Sequence, residues 1–404
     1  MKFQVSFLLL YSFFAITGCF QEATNWRGLN SEGKYPAPSL LNEWPENGPE
    51  VIWHFDELGK GFSSPAFANG KIYCTGMPDT IGYLFVLNEN GTLNKKIAYG
   101  NEWNVNFPGA RATPTIAGQL AYVSTSLGDL YCFDLDDNSI VWKKELATDF
   151  GAENIRNGFT ESPVVDGDKI YYTPGGPEFN VVALNRMNGE LIWKSAVNGK
   201  ISAYCTPRLI ELGGRQLFVT LSQNEVIALD SKDGTFLWSH PHANDVDIHP
   251  NTPIFQDQAL LCLSGYGTGS LKLALSDDGS SVSEVWKTKK MDNQMGGAMI
   301  VDGYVYASGH REKGWFCLDW QTGEEKWNSK ELLDGVIIMA ADKFILYTER
   351  GDLVLAKPDP EKLNIISRIK VEPSTEKHWV HPVVHNGILY IRIANTLIAY
   401  KISA

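Results

Sequence analysis

Eight times along this chain an apolar run opens, in six copies on a proline, a Gly, Asp or Asn turn follows, and a β-rich run ends in an aromatic or apolar residue. The copies are SSPAFANGKIY from Ser63, ATPTIAGQLAY from Ala112, ESPVVDGDKIY from Glu161, CTPRLIELGGRQLF from Cys205, NTPIFQDQALL from Asn251, GGAMIVDGYVY from Gly296, a degenerate IMAADKFILY from Ile338, and VHPVVHNGILY from Val380. The residues at the proline position are Pro65, Pro114, Pro163, Pro207, Pro253, Ala298, Met339 and Pro382, spaced 41 to 49 apart. Helical repeats of that period would need long 3.6-periodic stretches, whereas these runs are short, β-branched and broken by Gly or Asn. No segment reads as a helix. The period selects propeller blades, because a single four-stranded sheet buries both faces only when stacked between neighbours. The expectation is an all-β, eight-bladed propeller over 46–404.

In five modules the second half is a tight turn followed by tryptophan, as in LNRMNGELIW ending at Trp193, LDSKDGTFLW at Trp238, LDWQTGEEKW at Trp327 and FDLDDNSIVW at Trp142, with a longer version before Trp286. Asn/Asp-Gly supplies the positive φ of a hairpin between the third and fourth strands. The indole, which can bury ~150–250 Å², is read as packing between blades. The eighth module stops without its turn-plus-Trp strand, while EVIWHF, containing Trp53, precedes the first module with no partner of its own. The N-terminal strand is therefore expected to complete the last blade and remove the open edge.

Ahead of the repeats, Lys2 is followed by an apolar run from Val5 to Ile16 and then Ile16-Thr17-Gly18-Cys19. This is the layout of a secretory signal over 1–18, too short for a spanning helix of ~20 apolar residues. The tetrapeptide resembles a bacterial lipobox, which would place a lipid on Cys19 and make residues 19–45 a tether and capping segment. The expected location is the cell envelope, on the outer membrane, with membrane contact only through that lipid. A formal charge of −12 excludes nucleic acid or an anionic lipid surface as the main partner. The other five cysteines, Cys74, Cys132, Cys205, Cys262 and Cys317, lie singly in β-rich runs, with no CxxC and no His pair at zinc-ligand spacing.

The modules resemble those of the pyrroloquinoline-quinone-like (PQQ-like) β-propeller repeat family. The stretches ESPVVDGDKIYYTPGG, LSGYGTG, WVHPVVHNGILY and the opening NWRGLNSEG resemble a bacterial branch similar to the outer-membrane assembly lipoprotein BamB. This implies the propeller fold and one of two roles: a binding scaffold, BamB-like assembly work included, or a quinoprotein dehydrogenase. The second would bring PQQ with calcium as cofactor, a catalytic Asp and often a disulfide between adjacent cysteines. Here no two cysteines are adjacent, and no acidic cluster has calcium-loop spacing. No cofactor, metal or catalytic residue is assigned, and the expected partner of the monomer is a protein or a polar small molecule.

In a propeller, ligands bind where the loops entering the innermost strands converge on the channel. Those segments carry Arg111, Asn157, Thr160, Glu161, Tyr204, His249, Asn251, Asn293, Gln294, His378, Trp379 and His381; the adjoining loops are GGPEFN from Gly175, GYGTG from Gly265 and HREKG from His310. Convergent polar groups with Trp379 or Tyr204 as a stacking surface could hold a polar ligand. Arg111, Glu161 and His249 stand out, because three such groups on one channel would be costly to bury without a partner. No GxSxG, HExxH or GK[ST] signature is present.

Overall fold

The computed structural model describes residues 23–153, 156–199, 201–372 and 376–404. The signal region and Cys19 lie outside the described residues. Eight sheets of antiparallel strands make up the chain. Blades 1 to 7 span 66–101, 115–145, 164–195, 208–241, 254–288, 299–329 and 335–370. Blade 8 is built from both ends: Val383–His385, Ile388–Ile393 and Thr396–Lys401 are joined by Glu50–Phe55, which runs antiparallel to the last strand with Val51 opposite Tyr400 and Trp53 opposite Ala399. The expected closure is present. The first strands of blades 1, 2 and 3, and those of blades 6 and 7, touch one another along the channel wall.

Blade stacking follows from the turn-plus-Trp signal. Each tryptophan on a fourth strand reaches the following blade's hairpin and donates its indole N–H to a carbonyl there. Trp142 bonds Arg186 O at 2.9 Å, Trp193 bonds Ser231 O at 3.0 Å, Trp238 bonds Gly279 O at 3.0 Å, and Trp286 bonds Trp320 O at 3.0 Å. Trp53 does the same to Glu89 O of blade 1 at 2.9 Å, so the closing strand carries its own link to the next blade. Glycine is required opposite the ring: at Gly91, φ is +81° and a Cβ would stand 2.4 Å from Trp53. Side chains of adjacent sheets interdigitate between every pair of blades, and that interleaved apolar layer is the core.

A second device runs around the channel. The residue before each proline is hydroxylated in blades 1 to 5, and neighbours are cross-linked: Ser64 N–H to Thr113 Oγ1 (3.0 Å), Thr113 N–H to Ser162 Oγ (3.0 Å), Ser162 N–H to Thr206 Oγ1 (3.1 Å), and Thr252 Oγ1 to Thr206 O (2.7 Å). Proline opens each of these strands without needing a ladder donor, and the preceding hydroxyl satisfies the backbone N–H next door. In blades 6 to 8 the belt gives way to Gly297, the seventh-blade strand and His381, and Arg27 fills the gap.

Arg27 belongs to residues 23–45, which cross one end of the channel. Thr24 exchanges hydrogen bonds with Ile116 of blade 2, Lys34–Tyr35 add a parallel fifth strand to blade 7, and Leu41 N–H bonds Ile402 O of blade 8. Three expectations need correction. Leu146–Phe150 is a short α-helix, ended by Gly151 at φ +66°, and Leu29–Ser31 is a 3-10 turn. In blade 7 the turn residue is Ala341 (φ 52°), matching Asn69 (φ 52°) of blade 1, which places Ile337 rather than Met339 at the proline position. With neither Pro nor Gly to mark it, that copy reads two residues out of register. Cys74, Cys132, Cys262 and Cys317 lie on strands, whereas Cys205 lies in the loop that enters blade 4; all five are free and buried, and burial pushes the Cys74 thiol up to about 12.

Candidate functional site

The strand order puts every entering loop on one face, and the N-terminal segment closes the channel from the other. Between them lies a cup of about 210 Å³ to which every blade except the seventh contributes a residue. Its floor is Trp26 against His381, ring centroids 5.0 Å apart. His381 donates from Nε2 to Met295 O at 2.7 Å, and its Nδ1 accepts from Arg27 Nη1 at 2.5 Å. Burial, then the adjacent guanidinium, hold this imidazole well below its ordinary range, so it is neutral. Arg27 also reaches Gly296 O and Ile337 O; burial lowers it to about 10, which leaves it charged.

One wall is aromatic. Trp379 sits between Phe62 (5.6 Å) and Phe107 (4.9 Å), and its indole N–H bonds Glu349 Oε1 at 3.1 Å. The facing wall is polar. Arg111 donates from Nη2 to Asn106 O (3.1 Å) and Phe107 O (2.8 Å), which ties the loop bearing Phe107 to the cup. Burial draws its guanidinium down to about 10. Gln294 donates to the Tyr266 hydroxyl at 2.6 Å, and Asn157 N–H to the Tyr204 hydroxyl at 3.2 Å. Beside the opening, Val105 (66% exposed), Phe107 (46%) and Leu127 (43%) present apolar surface to water.

Of the sequence candidates, Arg111, Asn157, Thr160, Tyr204, Gln294, Trp379 and His381 line the cup. The others are placed behind it. Glu161 is buried and accepts the Thr173 N–H at 3.0 Å, with burial raising its carboxyl well above the usual range. His249 is buried beside His242, its Nε2 bonded to Gln223 O at 3.1 Å. Asn251 ties Asn293 O to Gly297 N–H, and His310 supports Tyr266 by accepting its backbone N–H. Arg111, Glu161 and His249 therefore do not share a site. Sequence reading missed Trp26, Phe62, Phe107, Ile248 and Met295. Phe62, Phe107, Ile248 and Met295 were marked only by position in an entering loop, and Trp26, in the N-terminal segment, carried no such signal.

Among the described residues no group of three or more His, Cys, Asp or Glu could hold a metal, and the cup lining contains no carboxylate. Calcium takes six to eight oxygen ligands, mostly carboxylates and carbonyls, so these residues do not fit a calcium-bound quinone. No helix of the described residues is long and apolar enough to cross a membrane.

Comparison with known proteins agrees with this architecture. The family model described as outer membrane protein assembly factor BamB matches residues 142–362, more than half of the chain. The outer membrane protein assembly factor BamB of Yersinia pestis is 23% identical over 245 residues, which cover 58% of this chain and 56% of that protein. The chain thus spans little more than half the length of this relative. The crystal structure of BamB from Moraxella catarrhalis superposes with a TM-score of 0.62 at 14% identity, over 87% of this chain and 99% of that one. Quinohemoprotein alcohol dehydrogenase from Comamonas testosteroni reaches 0.63 at 10% identity, over 87% and 76%. The two likenesses share a fold, but the family match is to the assembly factor: this chain belongs to the BamB family of PQQ-like β-propellers.

Proposed function

We propose that the protein is a non-catalytic docking propeller of the cell envelope that engages a protein partner through its cup face. The observation that carries this reading is the exposed apolar rim of Val105, Phe107 and Leu127 beside a cup whose floor is sealed by the chain's own N-terminal segment. Isolated apolar side chains on a surface are ordinary, but a group beside a preformed aromatic pocket is the composition of a docking site. A sealed floor removes the channel as a passage. The lining has no carboxylate, and its one imidazole, His381, has both ring nitrogens held by Arg27 and Met295 O, so the cup is read as a binding surface.

The BamB relative, an outer membrane protein assembly factor, points to the partner class: an outer-membrane insertion complex. A lipid on Cys19 would fit this placement. Cys19 is four residues before Ala23, which lines the face opposite the cup. At ~3.5 Å per residue the anchor would hold that face within ~14 Å of the bilayer and turn the cup away from it. The test is affinity purification of the full chain from its own envelope. Co-purification of the insertion complex, lost in Phe107→Glu with Trp379→Ala, supports the reading. Recovery unaffected by those changes but lost in Ile140→Glu with Leu191→Glu would move docking to the exposed fourth-strand edges of blades 2 and 3.

A further inference from the structure

Acidic residues outnumber basic ones 47 to 35 in this chain, yet the cup lining holds none of the former. What it holds instead is unspent hydrogen-bond donors. The Tyr204 hydroxyl accepts from Asn157 N–H and the Tyr266 hydroxyl from Gln294 Nε2, so each keeps its own O–H, which meets no acceptor among the described residues. Beside them the Arg111 guanidinium, charged at neutral pH, bonds only the backbone carbonyls of Asn106 and Phe107, and its Nε meets no partner among the described residues. Two carboxylates outside the lining are committed elsewhere. Glu102, whose field reaches Arg111, accepts from Ser126 N–H (2.8 Å) and the Tyr99 hydroxyl (2.7 Å), and Glu349 accepts the Trp379 indole N–H. Lys377 Nζ, 5.0 Å from the Trp379 ring centre, adds positive charge beside the aromatic wall.

The backbone is strained to hold this arrangement. Phe107, Tyr204 and Tyr266, three of the six Phe, Tyr and Trp side chains in the lining, stand at φ of 52°, 76° and 60°. A bulky residue rarely adopts the left-handed region, and strain of this kind gathers at binding sites that the surrounding structure holds in place. At about 210 Å³ the cup is smaller than the ~300–1,000 Å³ of pockets that bury a drug-sized ligand, so it has room for one large side chain. Edge-to-face and offset contacts select an aromatic ring for the slot beside Trp379, Phe62 and Phe107. An anion is what the donors on the facing wall lack. The exposed Val105 and Leu127 continue the apolar surface past the opening, so the ring belongs to a chain that runs on across the rim.

Given docking through the cup face, on which this step rests, we infer that the cup recognises an extended acidic-aromatic segment of the partner. One aromatic side chain fills the cup, and the carboxylate of an Asp or Glu beside it bonds Arg111 and the Tyr204 and Tyr266 hydroxyls.

The probes are short Ser-Gly peptides, acetylated, amidated and fluorescently labelled, with Phe-Asp, Phe-Asn, Phe-Lys or Ala-Asp at the centre. They are titrated against the full chain in detergent and followed by anisotropy. Phe-Asp should bind about tenfold tighter than Phe-Asn or Ala-Asp, the worth of one charge-assisted bond, and Phe-Lys should bind weakest. Arg111→Met should remove the preference for Asp over Asn. Should that variant fail to fold, Tyr204→Phe with Tyr266→Phe keeps both rings, and should narrow the preference severalfold while leaving Phe-Asn binding unchanged. No saturable binding of Phe-Asp, equal binding of Phe-Asp and Phe-Asn, or a preference that survives Arg111→Met or the double variant in its place overturns the inference. Saturable binding of hydrocinnamate where Phe-Asp does not bind also overturns it, and assigns a free small anion. The inference and the docking reading fail separately. Co-purification of the insertion complex that persists in Arg111→Glu keeps docking and removes the inference. Asp-selective, Arg111-dependent peptide binding without any recovered complex keeps the inference and removes that complex as partner.

Discussion

Arg27 Nη1 and His381 Nδ1 are 2.5 Å apart although 354 residues separate them in sequence. The contact joins the segment that seals the channel to the one blade whose pre-proline residue is an imidazole rather than a hydroxyl. Arg27 is 4% exposed and also donates to Gly296 O and Ile337 O, so it ties blades 6, 7 and 8 together where the belt has no hydroxyls. Arg27→Met should cost about 3 kcal/mol in chemical denaturation, because several buried acceptors lose their donor together. Gly297→Ala should behave similarly: its φ is +69°, and a Cβ would stand 2.4 Å from Arg27 Nη1.

Ring closure makes a separate prediction. Deleting residues 50–55 removes the fourth strand of blade 8 together with the Trp53 link to blade 1, and should abolish cooperative unfolding followed by circular dichroism. Trp53→Ala keeps the strand but loses the indole, and should cost about 2–3 kcal/mol, below the range for a fully buried tryptophan. A deletion that melted like the intact chain would show that the ends do not close the ring.

Acid should weaken the protein through a pair of imidazoles. Burial, then the neighbouring His249, lowers His242 to about 3, and burial lowers His249 to about 4. Both ring nitrogens of His242 are without partners among the described residues. Since the folded values lie below the unfolded ~6.5, the unfolded chain binds more protons in acid, and stability present above pH 6.5 is lost as pH falls toward 4. Each imidazole contributes up to about 1.4 kcal/mol per pH unit. Glu161, held neutral by burial, works in the opposite sense above its ordinary range. The difference between wild type and His242→Phe cancels that contribution, and the variant should show the shallower loss between pH 6.5 and 4.

PQQ with calcium should produce no saturable shift in melting temperature and no dye-linked alcohol oxidation. A site binding at a hundred times its Kd would add ~2.7 kcal/mol, which calorimetry would register. Such a shift would contradict the carboxylate-free cup as a binding site alone.

The architecture was legible because most blades repeat local signals with a direct physical meaning: proline at a strand start, Asn/Asp-Gly at a hairpin, tryptophan facing the next blade. Even the contribution of Trp53 to a distant sheet could be read, since the eighth module lacked its last strand. Blade 7 was misread where Ala341 stands at positive φ without a glycine to announce it. The site was harder. Arg111, Tyr204 and Trp379 could be picked from loop position, but side-chain direction decides between cup and core, and one residue's step reverses it. Glu161 thus turns to Thr173, and His249 to Gln223. Trp26 and Arg27 could not be placed, because a segment that crosses a channel pairs with blades far away in sequence and shares no repeat with them.

The docking reading is tested most directly by placing a photoreactive amino acid singly at Val105, Phe107 and, on the opposite face, Asp166, in cells making the full chain. Crosslinks to one subunit of the outer-membrane insertion complex from Val105 and Phe107, with none from Asp166, are the predicted result. Crosslinks to that complex from Asp166 alone, or from none of the three, would contradict it.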